Sequence, residues 1–466
     1  MRFAVPVLLL VVVSSVLSGQ QAAPPPATPP AVPAPAPRPA GRPRDVLFRM
    51  HLVDSTWCET VGIADFNRDG RLDLVSCENW YESPASAFGS GAASPTSGGA
   101  GAAWTRHRIR EINFTGAYVD NFSDLPLDVD GDGYTDVIQI AYFDRRLLWV
   151  KNPGRAGGAW TEHDIDRIGP TEFAFLVDLD NDGKANELLP QFTGAAGAAT
   201  QWYRLQNGTF TKHVVSSRSY GHGIGVGDVN RDGRNDILVP AGWLESPANP
   251  LADGEWTLHE TDWSQLRIPV GPAAVAPPAA IAPGALPAAA GPPPRPAEFG
   301  FMHVLDVNGD GRNDVVTTMA HSYGVLAFEQ LADGRWQQRL IDNTWAQSHA
   351  SAVADLNGDG QPDLVTGKRY WARGTASDAS EREPLGLYWY EFRRRESAPP
   401  AAAPGAPAAV AIEWVKHIID YGGRAGGGLQ IRVVDLDGNG DLDVVSGGKS
   451  GLFVAENLTK AGAGRK

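Results

Sequence analysis

An all-β fold, a seven-bladed β-propeller of four-stranded blades, is the class this sequence predicts, on three observations. One acidic nine-residue pattern occurs seven times. Around each copy lie four short segments rich in β-branched and aromatic residues and bounded by Gly, Asp and Asn, the composition of strands and turns. The last observation concerns the ends: Val46–Asp54 resembles the fourth piece of a unit, and the chain finishes on a third piece, GLFVAENL. Repeated four-strand units pack radially as small sheets. An N-terminal strand that completes the last blade would close the ring and remove an open edge.

Ahead of the first unit, MRFAVPVLLLVVVSSVLSGQ has one early arginine, an apolar run and then small residues. Residues 1–19 therefore read as an export signal. The apolar run from Phe3 to Leu17 is short for a bilayer span of roughly 20 residues, which disfavours an anchor. Residues 20–43 form a Pro/Ala-rich linker, extended and without a core. The propeller is expected over residues 44–460 of a secreted or periplasmic protein, with no membrane insertion after signal removal. Export favours a disulfide between Cys58 and Cys77, the two cysteines of the chain. The formal charge of −14 argues against nucleic acid or anionic lipid as the main partner and invites a counter-ion.

The acidic stretches begin at Asp65, Asp128, Asp178, Asp228, Asp306, Asp355 and Asp435, spaced by 63, 50, 50, 78, 49 and 80 residues. The long intervals carry Ala/Pro/Gly insertions at Pro84–Ala103, Pro269–Ala297, near Ala372–Pro384 and at Ser397–Ala411, which read as surface loops. Within a unit, a short apolar piece such as GIGVGD precedes the acidic loop and a run such as DILVP follows it. A third piece is aromatic (RLLWVKN, QWYRL, GLYWYEF), and a fourth has the form WTRHRI, WTEHDI or WVKHII. His107, His163, His213, His259 and His417 share one place in that fourth piece, matched by His51; recurrence there points to packing.

The loops have oxygen-bearing side chains at alternate positions, glycine at the sixth and an acid at the ninth. That pattern suits Ca²⁺, which takes about six to eight oxygens at roughly 2.3–2.6 Å, while glycine permits the sharp turn. The candidate ligands of loop one are Asp65, Asn67, Asp69 and Asp73, and of loop two Asp128, Asp130, Asp132 and Asp136. Loop three offers Asp178, Asp180 and Asp182, with Asn186 at its ninth position and Glu187 beside it. Loop four offers Asp228, Asn230, Asp232 and Asp236; loop five, Asp306, Asn308, Asp310 and Asp314. Loop six offers Asp355, Asn357, Asp359 and Asp363; loop seven, Asp435, Asp437, Asn439 and Asp443. An EF-hand is excluded, because the twelfth position of loop one is Ser76 and a strand follows in place of a helix. Up to seven structural Ca²⁺ are expected, enough to offset the formal charge of −14.

These loops resemble the FG-GAP/VCBS repeat family, whose propellers include the integrin α-subunit head. The resemblance spans Val46 to Leu458. It implies calcium at the loop positions just named. Most repeats lack a literal Phe-Gly…Gly-Ala-Pro pattern, so adhesion is not carried over. The fourth-piece motif, the Trp-rich third pieces and the remaining histidines are also similar to the propeller of fungal aldos-2-ulose dehydratase, whose cupin-like second domain has no counterpart here.

In each unit the first strand ends at its acidic loop, so its start lies at the opposite end, near the axis. Six residues before the leading aspartates stand Glu59, Phe122, Glu172, His222, Gly300, His349 and Leu429. After the second strands come Trp80, Trp243, His321, Lys368, Arg369, Tyr370 and Lys449. His222, His349, His321, Glu59, Glu172 and Lys368 are the candidates for catalysis. Arg369, Tyr370, Trp80, Trp243 and Lys449 are the candidates for substrate contact, with aromatic faces that stack on sugars. Two functions compete: a binding module for a carbohydrate or an extracellular protein, and a metal-assisted lyase or dehydratase acting on sugars. The second requires another divalent metal, held by the histidines with a carboxylate.

Overall fold

The computed structural model describes residues 46–85, 88, 103–192, 198–252, 254–261, 263, 297–372, 380, 381, 383–396 and 410–460. The export signal, the Pro/Ala-rich linker and most of the four insertions lie outside them. All sheets fall within Pro43–Lys466. Among the described residues there is no α-helix, only a short 3₁₀ turn at Gly154–Ala156, and no helix long and apolar enough to cross a membrane.

The strands form a propeller of small antiparallel sheets. Five are separate four-stranded sheets. Their strands are Gly62–Ala64, Asp73–Ser76, Asn79–Glu82 and Thr105–Arg108 around loop one; Asp124–Leu127, Asp136–Ala141, Arg146–Lys151 and Thr161–Arg167 around loop two; and Thr171–Val177, Glu187–Phe192, Thr200–Gln206 and Thr209–Ser216 around loop three. Loop six lies in the sheet of Ser351–Ala354, Asp363–Gly367, Gly386–Glu396 and Val410–Tyr421. Loop seven lies in that of Ile431–Val434, Asp443–Gly448 and Gly451–Asn457, whose fourth strand is Phe48–Asp54 from the N-terminal side. His51 pairs there with Val454, and Arg49 donates to Glu456 at 3.1 Å.

The expectation of seven separate sheets is therefore met by five. The strands around loops four and five form one eight-stranded sheet, because Ile224–Gly227 pairs in parallel with Phe299–Leu305. The cause is the glycine at every second position of GIGVG. Gly225 lies opposite Met302, and a Cβ there would stand 1.9 Å from the Met302 carbonyl oxygen. With no side chain in the way, the two innermost strands approach to hydrogen-bonding distance.

Burial falls from the inside outward. The second strands are buried at every residue, as in Asp136–Ala141 and Asp314–Met319, because sheets cover both faces. The outer strand Thr161–Arg167 is mostly exposed. Between third and fourth strands an aromatic ring stacks on the recurrent histidine: Trp80 on His107, Trp149 on His163, Trp202 on His213, Trp243 on His259 and Trp389 on His417, with centroids 3.9–4.5 Å apart. The packing role expected for these histidines is what the structure contains.

Neighbouring sheets are joined by Tyr–Asp hydrogen bonds from a third strand to the preceding outer strand. Tyr81 donates to Asp54 at 2.9 Å, Tyr203 to Asp166 at 2.7 Å and Tyr390 to Asp342 at 2.6 Å. Cys58 and Cys77, which flank the first two strands of loop one, are disulfide-bonded. A loop of this size is worth about 3 kcal/mol by chain entropy.

Candidate functional site

The seven acidic loops share one backbone shape. The sixth-position glycines have φ between 85° and 89° in every copy, a conformation that an L side chain resists. The first aspartate accepts amides from inside the turn, as in Asp69 and Gly70 donating to Asp65 at 3.0 and 2.8 Å. Lysine and arginine side chains lie against the exposed carboxylates, among them Lys151 at Asp130 and Asp132 and Lys184 at Asp182, and Arg204 reaches the more buried Asp180.

The ninth position has a role that spacing did not reveal. Its carboxylate is buried, and one oxygen accepts the amide of the second loop residue: Phe66 to Asp73 at 3.1 Å, Val229 to Asp236 at 3.0 Å, Leu436 to Asp443 at 3.1 Å. The other oxygen accepts an amide just beyond or at the end of the third strand, from Ser83, Asn152, Ser246, Gln330 or Asn457. In loop three Glu187 does this in place of Asn186, its extra methylene spanning the one-residue offset, and accepts the Leu179 amide at 3.0 Å. Burial pushes these acids up, to about 6 for Asp73, Asp136, Asp236 and Asp314, about 7 for Glu187 and Asp443, and about 8 for Asp363.

Three of the loops gather their oxygens closely enough to fit the calcium that the family resemblance implies. Oxygens of Asp128, Asp130 and Asp136, of Asp178, Asp180 and Glu187, and of Asp435, Asp437 and Asp443 lie within 4.8 Å of one another in each set. Asp435 Oδ1 and Asp363 Oδ1 are buried and have no hydrogen-bond partner. A hard cation would satisfy these oxygen-only donor sets and the Asp435 atom, whereas Asp363 Oδ1 is the oxygen that in other loops takes the third-strand amide.

At the other end of the first strands, side chains from several sheets converge. Glu172 is the second residue of the first strand of loop three, and His222 and His349 precede those of loops four and six. His321 and Arg369 follow the second strands of loops five and six. Ligand atoms of Glu172, His222, His321 and His349 all lie within 4.8 Å of one another. Gly300 permits the approach: a Cβ there would stand 2.6 Å from the His349 carbonyl oxygen.

Arg369, 1% exposed, ties the two carboxylates together. It donates to both oxygens of Glu59 at 2.7 and 3.0 Å, and to Glu172 Oε1 at 2.8 Å. Burial would raise the Glu172 carboxyl, but His222 and Arg369 outweigh it and hold it well below the usual range. His222 Nδ1 donates to the Phe299 carbonyl at 2.5 Å, which leaves Nε2 facing Glu172 Oε2 at 3.0 Å. His349 is fully buried, and neither ring nitrogen has a hydrogen-bond partner. Burial, followed by Arg369 and the neighbouring histidines, pushes it far down.

Above this cluster is a cavity of about 630 Å³. Glu172, His222, His321 and Arg369 line its polar part, and Tyr118, Phe122, Tyr142, Phe143 and Tyr220 its aromatic part. Tyr118 comes from a two-stranded hairpin, Phe114–Thr115 with Tyr118–Val119, inserted between the sheets of loops one and two. It reaches across to the Ala372 carbonyl.

Six expected site residues thus meet: Glu59, Glu172, His222, His321, His349 and Arg369. Lys449 lies just behind, its Nζ 3.7 Å from Glu59, 3.9 Å from the Tyr118 ring centroid and donating to the Trp371 carbonyl at 2.7 Å. Four expectations are placed elsewhere. Lys368 donates to Ser380 at 2.7 Å, because adjacent residues at a strand end point to opposite sides. Tyr370 lies beside Trp371 and not on the cavity wall. Trp80 and Trp243 are held in the histidine stacks between third and fourth strands. Of the aromatic wall, Phe122 stood at the expected offset; the rest was missed, although Tyr142 and Phe143 directly follow a second strand and Tyr220 precedes His222 by two residues.

Residues 306–366 match the family described as an FG-GAP-like repeat. No curated protein matches the chain. Among solved structures, one described by the recognition of non-reducing terminal N-acetylglucosamine by an Agrocybe aegerita lectin is similar, at 16% identity and a TM-score of 0.40, over 77% of this chain and 80% of that one. A similarity of that size assigns neither fold nor ligand.

Proposed function

With an FG-GAP-like repeat in a propeller of small sheets as the premise, we propose that this is an exported, calcium-stabilised propeller that binds a carbohydrate in its axial cavity. The observation that carries the reading is the cavity itself: about 630 Å³, five aromatic side chains on its wall and two carboxylates (Glu172 and Glu298), two histidines and an arginine at its polar part. Sugars present apolar ring faces to aromatic walls and hydroxyls to polar groups. The eight-stranded sheet counts as two blades fused at Gly225, which makes seven in all. The N-terminal strand closes the ring, a reading supported by its pairing with the last strand and by the Asp54–Tyr81 bond. Calcium neutralises the acidic loops and stabilises the fold by mass action.

The test is titration of the calcium-loaded protein with neutral and acidic oligosaccharides, alongside Tyr142→Ala and Phe143→Ala. Binding by the parent and about tenfold weaker binding by each variant are expected, the equivalent of about 1.4 kcal/mol of stacking. Absence of saccharide binding, or unchanged affinity in both variants, overturns the reading. A protein ligand would instead emerge as saturable binding indifferent to competing sugars. The second reading, metal-assisted lyase or dehydratase chemistry, is favoured by the histidine cluster, and its readout is formation of an unsaturated sugar product.

A further inference from the structure

We propose that Glu172, His222, His321 and His349 hold one transition-metal ion of the Zn²⁺ or Mn²⁺ class, chemically distinct from the calcium loops, with its open side toward the axial cavity. This deepens the reading of that cavity as a ligand site. Three imidazoles and one carboxylate are a borderline nitrogen/oxygen donor set that calcium does not choose. The four ligand atoms already lie within 4.8 Å of one another, so rotamer-scale movement brings them onto a single ion.

Two further observations point the same way. His349 is fully buried with neither ring nitrogen hydrogen-bonded, its Nε2 standing 3.6 Å from Glu172 Oε1, and a buried polar atom left so is unfavourable. A metal on one nitrogen removes part of that cost. The surroundings are those of ligating groups as well. The Phe299 carbonyl accepts a hydrogen bond from His222 Nδ1 and so turns Nε2 toward Glu172, while Arg369 orients the carboxylate. Glu172, His222 and His321 line the cavity and His349 lies behind them, so an ion held by all four meets the cavity on one side. A hydroxyl or carbonyl oxygen of a sugar is the ligand that side would take.

The experiment is Co²⁺ and Zn²⁺ titration of the full chain in excess calcium, read by d–d absorption and calorimetry. The parent should take up one equivalent. His349→Ala should lose at least about 100-fold in affinity, more than the roughly 10–100-fold expected for an outer partner. His321→Ala, at the half-buried cavity edge, is the second variant should His349→Ala fail to fold. Both should keep the parent's calcium content. Uptake undiminished in a folded variant, or no uptake by the parent, overturns the proposal. Saccharide binding without cobalt uptake would sink the metal centre and leave the carbohydrate reading standing; uptake without saccharide binding would do the reverse.

Discussion

At the acidic-loop end, the first strands all deliver the same nine residues in the same shape, down to a glycine φ that varies by only a few degrees from copy to copy. At the axial end of the same strands, one equivalent position holds Glu59, Phe122, Glu172, His222, Gly300, His349 and Leu429 in turn. Positions that repeat are solving a problem common to all the sheets, namely turning the chain and holding the turn. Positions that differ between equivalent places are free of that demand, and there a site can be assembled from single contributions.

If the loop end is shared structure, breaking it should unfold the molecule. Chelation should lower the melting temperature more than any single substitution, since each site kept at about 100 times its Kd contributes about 2.7 kcal/mol and chelation empties up to seven of them together; differential scanning calorimetry with and without EDTA checks this. The axial end should respond to loss of one residue. Arg369→Met leaves Glu59 and Glu172 buried without their shared cation, at a cost of about 3–5 kcal/mol by chemical denaturation.

A smaller effect is expected between the two ends, at the links between sheets. Tyr390 donates to Asp342 and accepts from Trp345 Nε1, so Tyr390→Phe should cost about 1–3 kcal/mol. Burial raises the Asp342 carboxyl, but Lys416, Tyr390 and Thr344 outweigh it and lower the net value. That stabilisation is fully present above the ordinary carboxylate range and fades as pH falls through the lowered folded value. The gap between parent and Asp342→Asn, read from melting curves across pH, should therefore close in acid. Least of all should be Asn186→Asp, within about 0.5 kcal/mol, because Glu187 already holds the turn of loop three; a gain as large as the loss in Tyr390→Phe would show that the loop lacks the acid its ninth position carries elsewhere.

The loops, the four-strand units and the N-terminal strand's place in the last sheet were legible in the sequence because each leaves a repeated mark. The axial cluster was legible only through its fixed offset from those marks, which is how His222 and His349 were found. Lys368 was misplaced because the offset gives a strand end but not which of two alternating sides a residue takes. Tyr118 left no signal, since its hairpin occurs once and belongs to no repeat. The fused sheet had one, the alternating glycines of GIGVG, but glycine spacing has meaning only when the strand it faces is known.

The bond between Arg49 and Glu456 joins residues 407 positions apart. A chain emerging from a ribosome or a translocation pore would present Phe48–Asp54 long before its partner exists, and that strand must wait unpaired while every other sheet is built. Closure of such distant contacts is slow, and an interrupted product would carry a raw edge open to other chains. The pairing that completes this sheet is thus also a quality check: only a molecule made as far as Gly451–Asn457 can hide Phe48–Asp54.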